Sequence, residues 1–129
     1  MLKRQRINYS PRVPSGMIAH TEKGYFYIKG DKRFKFISDR ARLSWSLHEV
    51  NTTESAMSDV KLSGIVGFRD GSLIRDISTN KLYLMVDNKK MLIVDPDDLI
   101  ALGFKKHNAI LVSKREADFQ KDGGNLNGR

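Results

Sequence analysis

The chain contains no cysteine among its 129 residues, which excludes a disulfide framework, a thiolate nucleophile and any cysteine-ligated metal. No apolar run is long enough to span a bilayer: Leu82 to Val86 and Met91 to Val94 are the longest. The start, Met1 to Arg6 and on to Pro14, is basic and polar and lacks the apolar stretch of about 7–15 residues that a signal peptide needs. Synthesis in a reducing cytoplasm is therefore expected. Histidine is scarce: His20, His48 and His107 stand apart without metal-ligand spacing. No G-x-S-x-G elbow is present, and Gly64-Ile65-Val66-Gly67 lacks the Lys-Ser/Thr of a phosphate-binding loop. Asp95, Asp97 and Asp98 sit where helix capping accounts for them. Neither catalysis, nor a cofactor, nor a metal is expected.

What the chain does contain is a duplication. An overlay shifted by 56 residues runs without a gap from Ser15–Leu43 to Gly71–Leu99. It places Tyr27 on Tyr83, Asp31 on Asp87, Ile37 on Ile93 and Asp39 on Asp95. Beyond a short insertion a shift of 62 places Val50-Asn51 on Val112-Ser113 and Glu54 on Glu116. Apolar positions that persist while other chemistry drifts mark a repeated packing unit.

The second copy reads clearly. Asp70-Gly71 turns into a strand at Ser72 to Arg75, and Lys81 to Val86 forms the next. Asp87-Asn88 tolerates the left-handed geometry of a tight hairpin leading to Lys89–Val94. Asp95 then caps a helix with Pro96 in its first turn, and Gly103 ends it. Ala109 to Val112 is a short strand, and Ser113 with Glu116 forms a capping box. In copy one the strands are Met17 to Ala19, Tyr25 to Lys29 and Arg33 to Ile37, with a turn at Gly30-Asp31. Asp39 takes the N-cap role, Asn51 with Glu54 the capping box, and Val60 to Val66 adds a strand.

The predicted fold class is α+β and β-rich: two tandem antiparallel β-meander-plus-short-helix repeats related by pseudo-symmetry. The expected organisation is a basic arm at 1–14, repeat one at 15–56, a connector at 57–69, repeat two at 70–120 and a polar tail at 121–129.

Charge is unevenly placed. Residues 1–42 hold 11 Lys/Arg against 3 Asp/Glu, whereas residues 43–129 hold 12 of each, so the net +8 lies in the first third. Such a surface can dock an acidic protein, contact nucleic-acid phosphates, or simply stay solvated. The docking candidates are Lys3, Arg4, Arg6, Arg12, Lys29, Lys32, Arg33, Lys35, Arg40 and Arg42, with Tyr25 and Phe26 as aromatic anchors.

The segments Asp70–Arg75, Lys81–Leu84, Asn88–Ile93, Leu99–Gly103 and Ala109–Val112 together resemble a short repeat common in bacterial extracellular proteins, often beside wall-active domains. Lys29–Arg40 and Gly67–Gly71 are also similar to small structural proteins of tailed bacteriophages, particularly those of marine bacteria and cyanobacteria. The phage resemblance implies a non-enzymatic virion component of tail, baseplate, neck or capsid that docks other virion proteins in many copies. The bacterial one implies a module for host wall or glycan. Nucleic-acid binding through the basic residues is the third expectation.

Overall fold

The computed structural model describes residues 10–105 and 108–128. It is an α+β, β-rich fold of two similar units, each built on a five-stranded mixed sheet.

Of the described residues, unit 1 comprises 10–36 and 46–66. Its strands are β1 (Ile18–Thr21), β2 (Gly24–Lys29), β3 (Lys32–Phe36), β4 (Glu49–Asn51) and β5 (Lys61–Val66). The first three form the expected meander; β4 adds parallel to β1 and β5 parallel to β3, giving the order β4-β1-β2-β3-β5. Val13, Ala19, Phe26, Ile28, Met57 and Val60 close the core on one face. Alternation along β2 explains this, because Phe26 and Ile28 share a face that Tyr27 does not.

Of the described residues, unit 2 comprises 37–45, 67–105 and 108–128. It contains α1 (Asp39–Trp45), β6 (Leu73–Asp76), β7 (Leu82–Val86), β8 (Lys89–Leu92), α2 (Pro96–Ala101), β9 (Ile110–Val112), α3 (Lys114–Phe119) and β10 (Lys121–Asn125). The strand order β10-β8-β7-β6-β9 repeats that of unit 1, with β9 and β10 again parallel to their neighbours. Its core gathers Phe68, Ile74, Tyr83, Met85, Val112 and Ala117. To these is added Ala41 from α1, so the helix that follows the first meander packs in the second unit.

The cap and turn expectations for copy two hold. Asp95 Oδ1 accepts from Asp97 N–H at 2.9 Å, and Ser113 and Glu116 form a reciprocal capping box. Asp87 and Asn88 both adopt positive φ, 51° and 63°, in the two-residue hairpin.

The repeat register differs from the ungapped overlay. Thr21 pairs with Gly24 across a two-residue turn, whereas in unit 2 Asp76 closes on Lys81 across four residues, Ile77 to Asn80. The structural offset is therefore 55 residues before this turn (Gly16 to Gly71, both at φ 88°) and 57 after it (Lys32 to Lys89). It becomes 60 from the fourth strand onward (Lys61 to Lys121). A single shift of 56 is one residue out on each side of the turn, and a one-residue slip reverses every side chain. Phe26, not Tyr27, is thus the counterpart of Tyr83. Ser38, whose Oγ accepts from Ala41 N–H at 3.1 Å, is the N-cap of α1 and the counterpart of Asp95; Asp39 is already helical.

The capping box expected at Asn51 and Glu54 is also displaced. Thr53 Oγ1 accepts from Ala56 N–H at 3.1 Å, matching Ser113 and Glu116, while Asn51 Oδ1 sits 3.0 Å from His20 Nδ1. Lys121–Asn125, expected as part of a polar tail, forms the edge strand β10, the counterpart of β5.

Candidate protein-docking surface

Two cations that looked like surface residues are structural supports. Arg33 is only 8% exposed. Its Nε donates to Val60 O at 2.9 Å, Nη2 to Met57 O at 3.1 Å and Nη1 to the Glu54 carboxylate at 2.8 Å. The guanidinium also lies 4.8 Å from the centroid of Phe26, a cation–π contact in the interior of unit 1. Arg33 thereby holds Glu54 below the usual carboxylate range; burial opposes the shift, and Thr21 Oγ1, donating at 2.5 Å, reinforces it. Unit 2 repeats the device with a weaker cation: Lys90 Nζ donates to Ala117 O at 2.9 Å and lies 5.1 Å from the Tyr83 centroid.

The second support joins α1 to α3 within unit 2. Glu116 is 2% exposed and carries four side-chain or backbone donors. Ser38 Oγ donates at 2.6 Å, Ser113 N–H at 2.8 Å, and Arg40 through Nη2 at 2.9 Å and Nε at 3.2 Å. Burial alone would raise this carboxyl; the Arg40 guanidinium and the serine donors outweigh it and hold it at about 2. Arg42 sits 3.5 Å from Asp39 on the same helix.

The remaining docking candidates separate accordingly. Phe26 is buried in the unit 1 core, so it cannot anchor a partner. Tyr25 is half-buried and stacks on His20 with centroids 4.0 Å apart. Arg12 pairs with Asp59 at 3.3 Å. Lys3, Arg4 and Arg6, like His107, lie outside the described residues. Arg40 and Arg42 belong to unit 2, whereas Lys29, Lys32 and Lys35 are exposed on the β2–β3 hairpin of unit 1.

Those three lysines stand beside a feature that residue type alone does not mark. β5 pairs with β3 at Lys32–Lys61 and Lys35–Ile65, and no strand among the described residues pairs with its other side. Five of its six residues are exposed, including Leu62 at 62% and Ile65 at 52%. A bulge between the two pairings accommodates Ser63-Gly64, and Gly64 adopts φ 150°, a backbone state closed to residues with a Cβ. Lys32, Lys35 and Lys61 border the two aliphatic side chains along this edge. Its counterpart β10, Lys-Asp-Gly-Gly-Asn, presents no apolar side chain. The sequence signal was available in Lys61-Leu62-Ser63-Gly64-Ile65-Val66, but only the sheet order identifies it as an edge.

A cleft of about 250 Å³ in unit 2 is lined by Leu82, Leu92, Ile93, Pro96 and Leu99, with Arg75 at its rim. It falls short of the roughly 300–1,000 Å³ of small-molecule sites, and Arg75 Nη1 is already bonded to Asn80 O and Oδ1. Among the described residues no group of three or more His, Asp or Glu side chains is placed to hold a metal. No helix among them is long and apolar enough to cross a membrane. No aromatic side chain among them is exposed.

No protein-family model and no curated protein matches the chain. Two solved structures are similar in part. One is a chain of the periplasmic assembly from the ESX-5 inner membrane complex, at 13% identity and a TM-score of 0.35, covering 93% of this chain and 42% of that one. The other is a chain of an intact ESX-5 inner membrane complex, at 13% identity and a TM-score of 0.35, covering 97% and 38%. This chain thus spans about two-fifths of the length of each, and at that similarity neither likeness bears on function.

Proposed function

We propose that this chain is a non-enzymatic docking module, a virion structural protein of a tailed phage that joins other virion proteins in a multi-copy assembly. The observation that carries the docking reading is the β5 edge: a strand with two exposed aliphatic side chains, bordered by Lys32, Lys35 and Lys61. Soluble proteins ordinarily blunt such edges, because unpaired backbone groups beside apolar side chains invite another chain. The lysine border selects an acidic partner and speeds its approach. The assignment to a virion rests on the phage-like segments Lys29–Arg40 and Gly67–Gly71.

The glycan reading draws on exposed aromatic platforms, and the described aromatic rings are buried or half-buried. The nucleic-acid reading retains Lys29, Lys32, Lys35 and Lys61 as exposed cations but loses Arg33 to the core.

Mass spectrometry of particles purified from a lysate in which the chain is made tests the proposal. The protein is expected in the particles, and the double variant Leu62→Lys, Ile65→Lys is expected to remain outside them while keeping parental circular dichroism. Incorporation of the folded variant at the parental copy number would overturn the docking assignment. Absence of the parental protein from the particles would overturn the virion assignment.

A further inference from the structure

The geometry points to strand addition as the way in which β5 is engaged: an extended acidic segment of a partner protein joins the sheet of unit 1 as its sixth strand. This inference rests on the docking reading above and names the form of the partner.

Three observations support it. First, β5 is the last strand of the order β4-β1-β2-β3-β5 and among the described residues pairs with β3 alone, which leaves the sheet open on that side. A strand's outward N–H and C=O groups then form a template on which main-chain hydrogen bonds supply affinity and alternate side chains supply specificity.

Second, the two repeats differ at this position and only one is protected. β10 occupies the same place in unit 2, shares the irregularity at its glycine (Gly124 at φ 89°, beside Gly64 at φ 150°), and carries Asp122 and Asn125 in the places of Leu62 and Ile65. β5 keeps Leu62 and Ile65, which are 62% and 52% exposed. Both edges have the same bulged geometry, so the bulge by itself does not account for the apolar side chains of one of them.

Third, every charged side chain within the β3–β5 ladder is a cation, Asp31 lying in the turn at its end, where its main-chain oxygen accepts from Lys61 N–H. Lys32 and Lys61 face each other in the ladder, Lys35 faces Ile65, and Lys29 lies at the end of the adjoining hairpin. A second copy of β5 would bring another Lys61 and its neighbours toward this row, and like charges across a ladder are unfavourable. A segment alternating aliphatic and acidic residues instead meets Leu62 and Ile65 with one set and, on the opposite face, the Lys61–Lys32 pair with the other.

The test uses the isotopically labelled full chain, titrated by nuclear magnetic resonance with three capped peptides about eight residues long, a typical strand length. The first alternates valine with glutamate. The second is the same sequence with N-methyl groups on alternate amides, which removes the donors along one edge. The third replaces glutamate by lysine. The first is expected to shift the amide resonances of Lys61–Val66 and Lys35, and the other two to bind at least about tenfold more weakly, a loss of roughly 1.4 kcal/mol each. The exposed-site variant Ile65→Lys, checked for native circular dichroism, is expected to lose the response.

Equal binding by the N-methylated peptide would overturn strand addition while leaving docking at a basic, apolar edge intact. Equal binding by the lysine peptide would overturn the acidic partner. Absence of any shift at 61–66 with millimolar glutamate peptide would overturn both strand addition and the docking reading. A β5-dependent dimer in sedimentation, lost with Leu62→Lys, would overturn the choice of a foreign partner in favour of a second copy.

Discussion

Glutamine in place of Glu116 should reduce the acid sensitivity of unit 2, leaving the part carried by Asp76, which Ser78 holds below the usual carboxylate range. The carboxylate is almost fully buried and receives Ser38 Oγ, Ser113 N–H and two Arg40 nitrogens, at distances between 2.6 and 3.2 Å. With the carboxyl held at about 2 against an unperturbed value of 4.5, its ionised form is favoured in the folded protein. At roughly 1.4 kcal/mol per unit, this contributes about 3 kcal/mol to stability. The sign is that of a depressed acid: the contribution is complete above about pH 4.5 and is lost as pH falls through that value toward 2. Glu116→Gln should therefore cost about 3 kcal/mol at pH 7, out of a total of about 5–15 for a domain of this kind, and almost nothing near pH 2. Arg40 is more than half exposed, so Arg40→Gln should cost less, about 1 kcal/mol. Trp45 is the sole tryptophan and lies on α1, with Nε1 donating to Gly67 O at 2.9 Å, so its fluorescence reports unit 2 directly. Urea titrations followed by that signal at pH 7, 5, 4 and 3 supply the comparison. A parental-minus-variant difference that stays constant over this range would refute the assignment of the buried, ionised carboxylate.

Ser38→Ala should destabilise unit 2 by about 1–2 kcal/mol, because it removes the cap of α1 as well as a donor to Glu116, whereas Asp39→Ala should change stability by less than about 0.5 kcal/mol; thermal or urea unfolding of the two variants ranks them, and the reverse order would restore Asp39 as the cap. Glu54→Ala should cost about 3 kcal/mol by leaving the Arg33 charge buried, and the Glu54→Ala, Arg33→Met double variant should recover part of that loss in a double-mutant cycle; additive losses would show that the pair does not interact. Phe26→Ala should cost about 3–5 kcal/mol and Tyr27→Ala clearly less, since only Phe26 belongs to the core cluster; equal losses in calorimetry would return the overlay of Tyr27 on Tyr83. DNA affinity carried by Lys29, Lys32, Lys35 and Lys61 alone should fall about 10²-fold between 50 and 200 mM salt. A gel-shift series showing 10³ or more would require about six phosphate contacts and draw further cations into the site.

Much of the fold is local and therefore readable along the chain. Asp87-Asn88 and Gly30-Asp31 mark their hairpins because few residues tolerate those backbone angles. Asp95-Pro96 and Ser113…Glu116 mark helix starts because an N-cap acts over three residues. The apolar alternation of two meanders revealed the duplication and the α+β class. The candidate surface was legible only as an excess of positive charge before residue 43.

The rest depended on contacts remote in sequence. The exchange of a two-residue turn at Glu22-Lys23 for the four residues Ile77–Asn80 is invisible to an overlay that tolerates conservative mismatches, yet it decides that Phe26 rather than Tyr27 enters the core. Arg33 and Arg40 read as unpaired cations because their partners, Glu54 and Glu116, lie 21 and 76 residues away. Placement of α1 in the second unit and of β5 at a sheet edge follows from which strands pair, a property of the assembled sheet. Short-range sterics and hydrogen bonding are written in adjacent residues; burial, ion pairing and edge exposure exist only once distant segments have met.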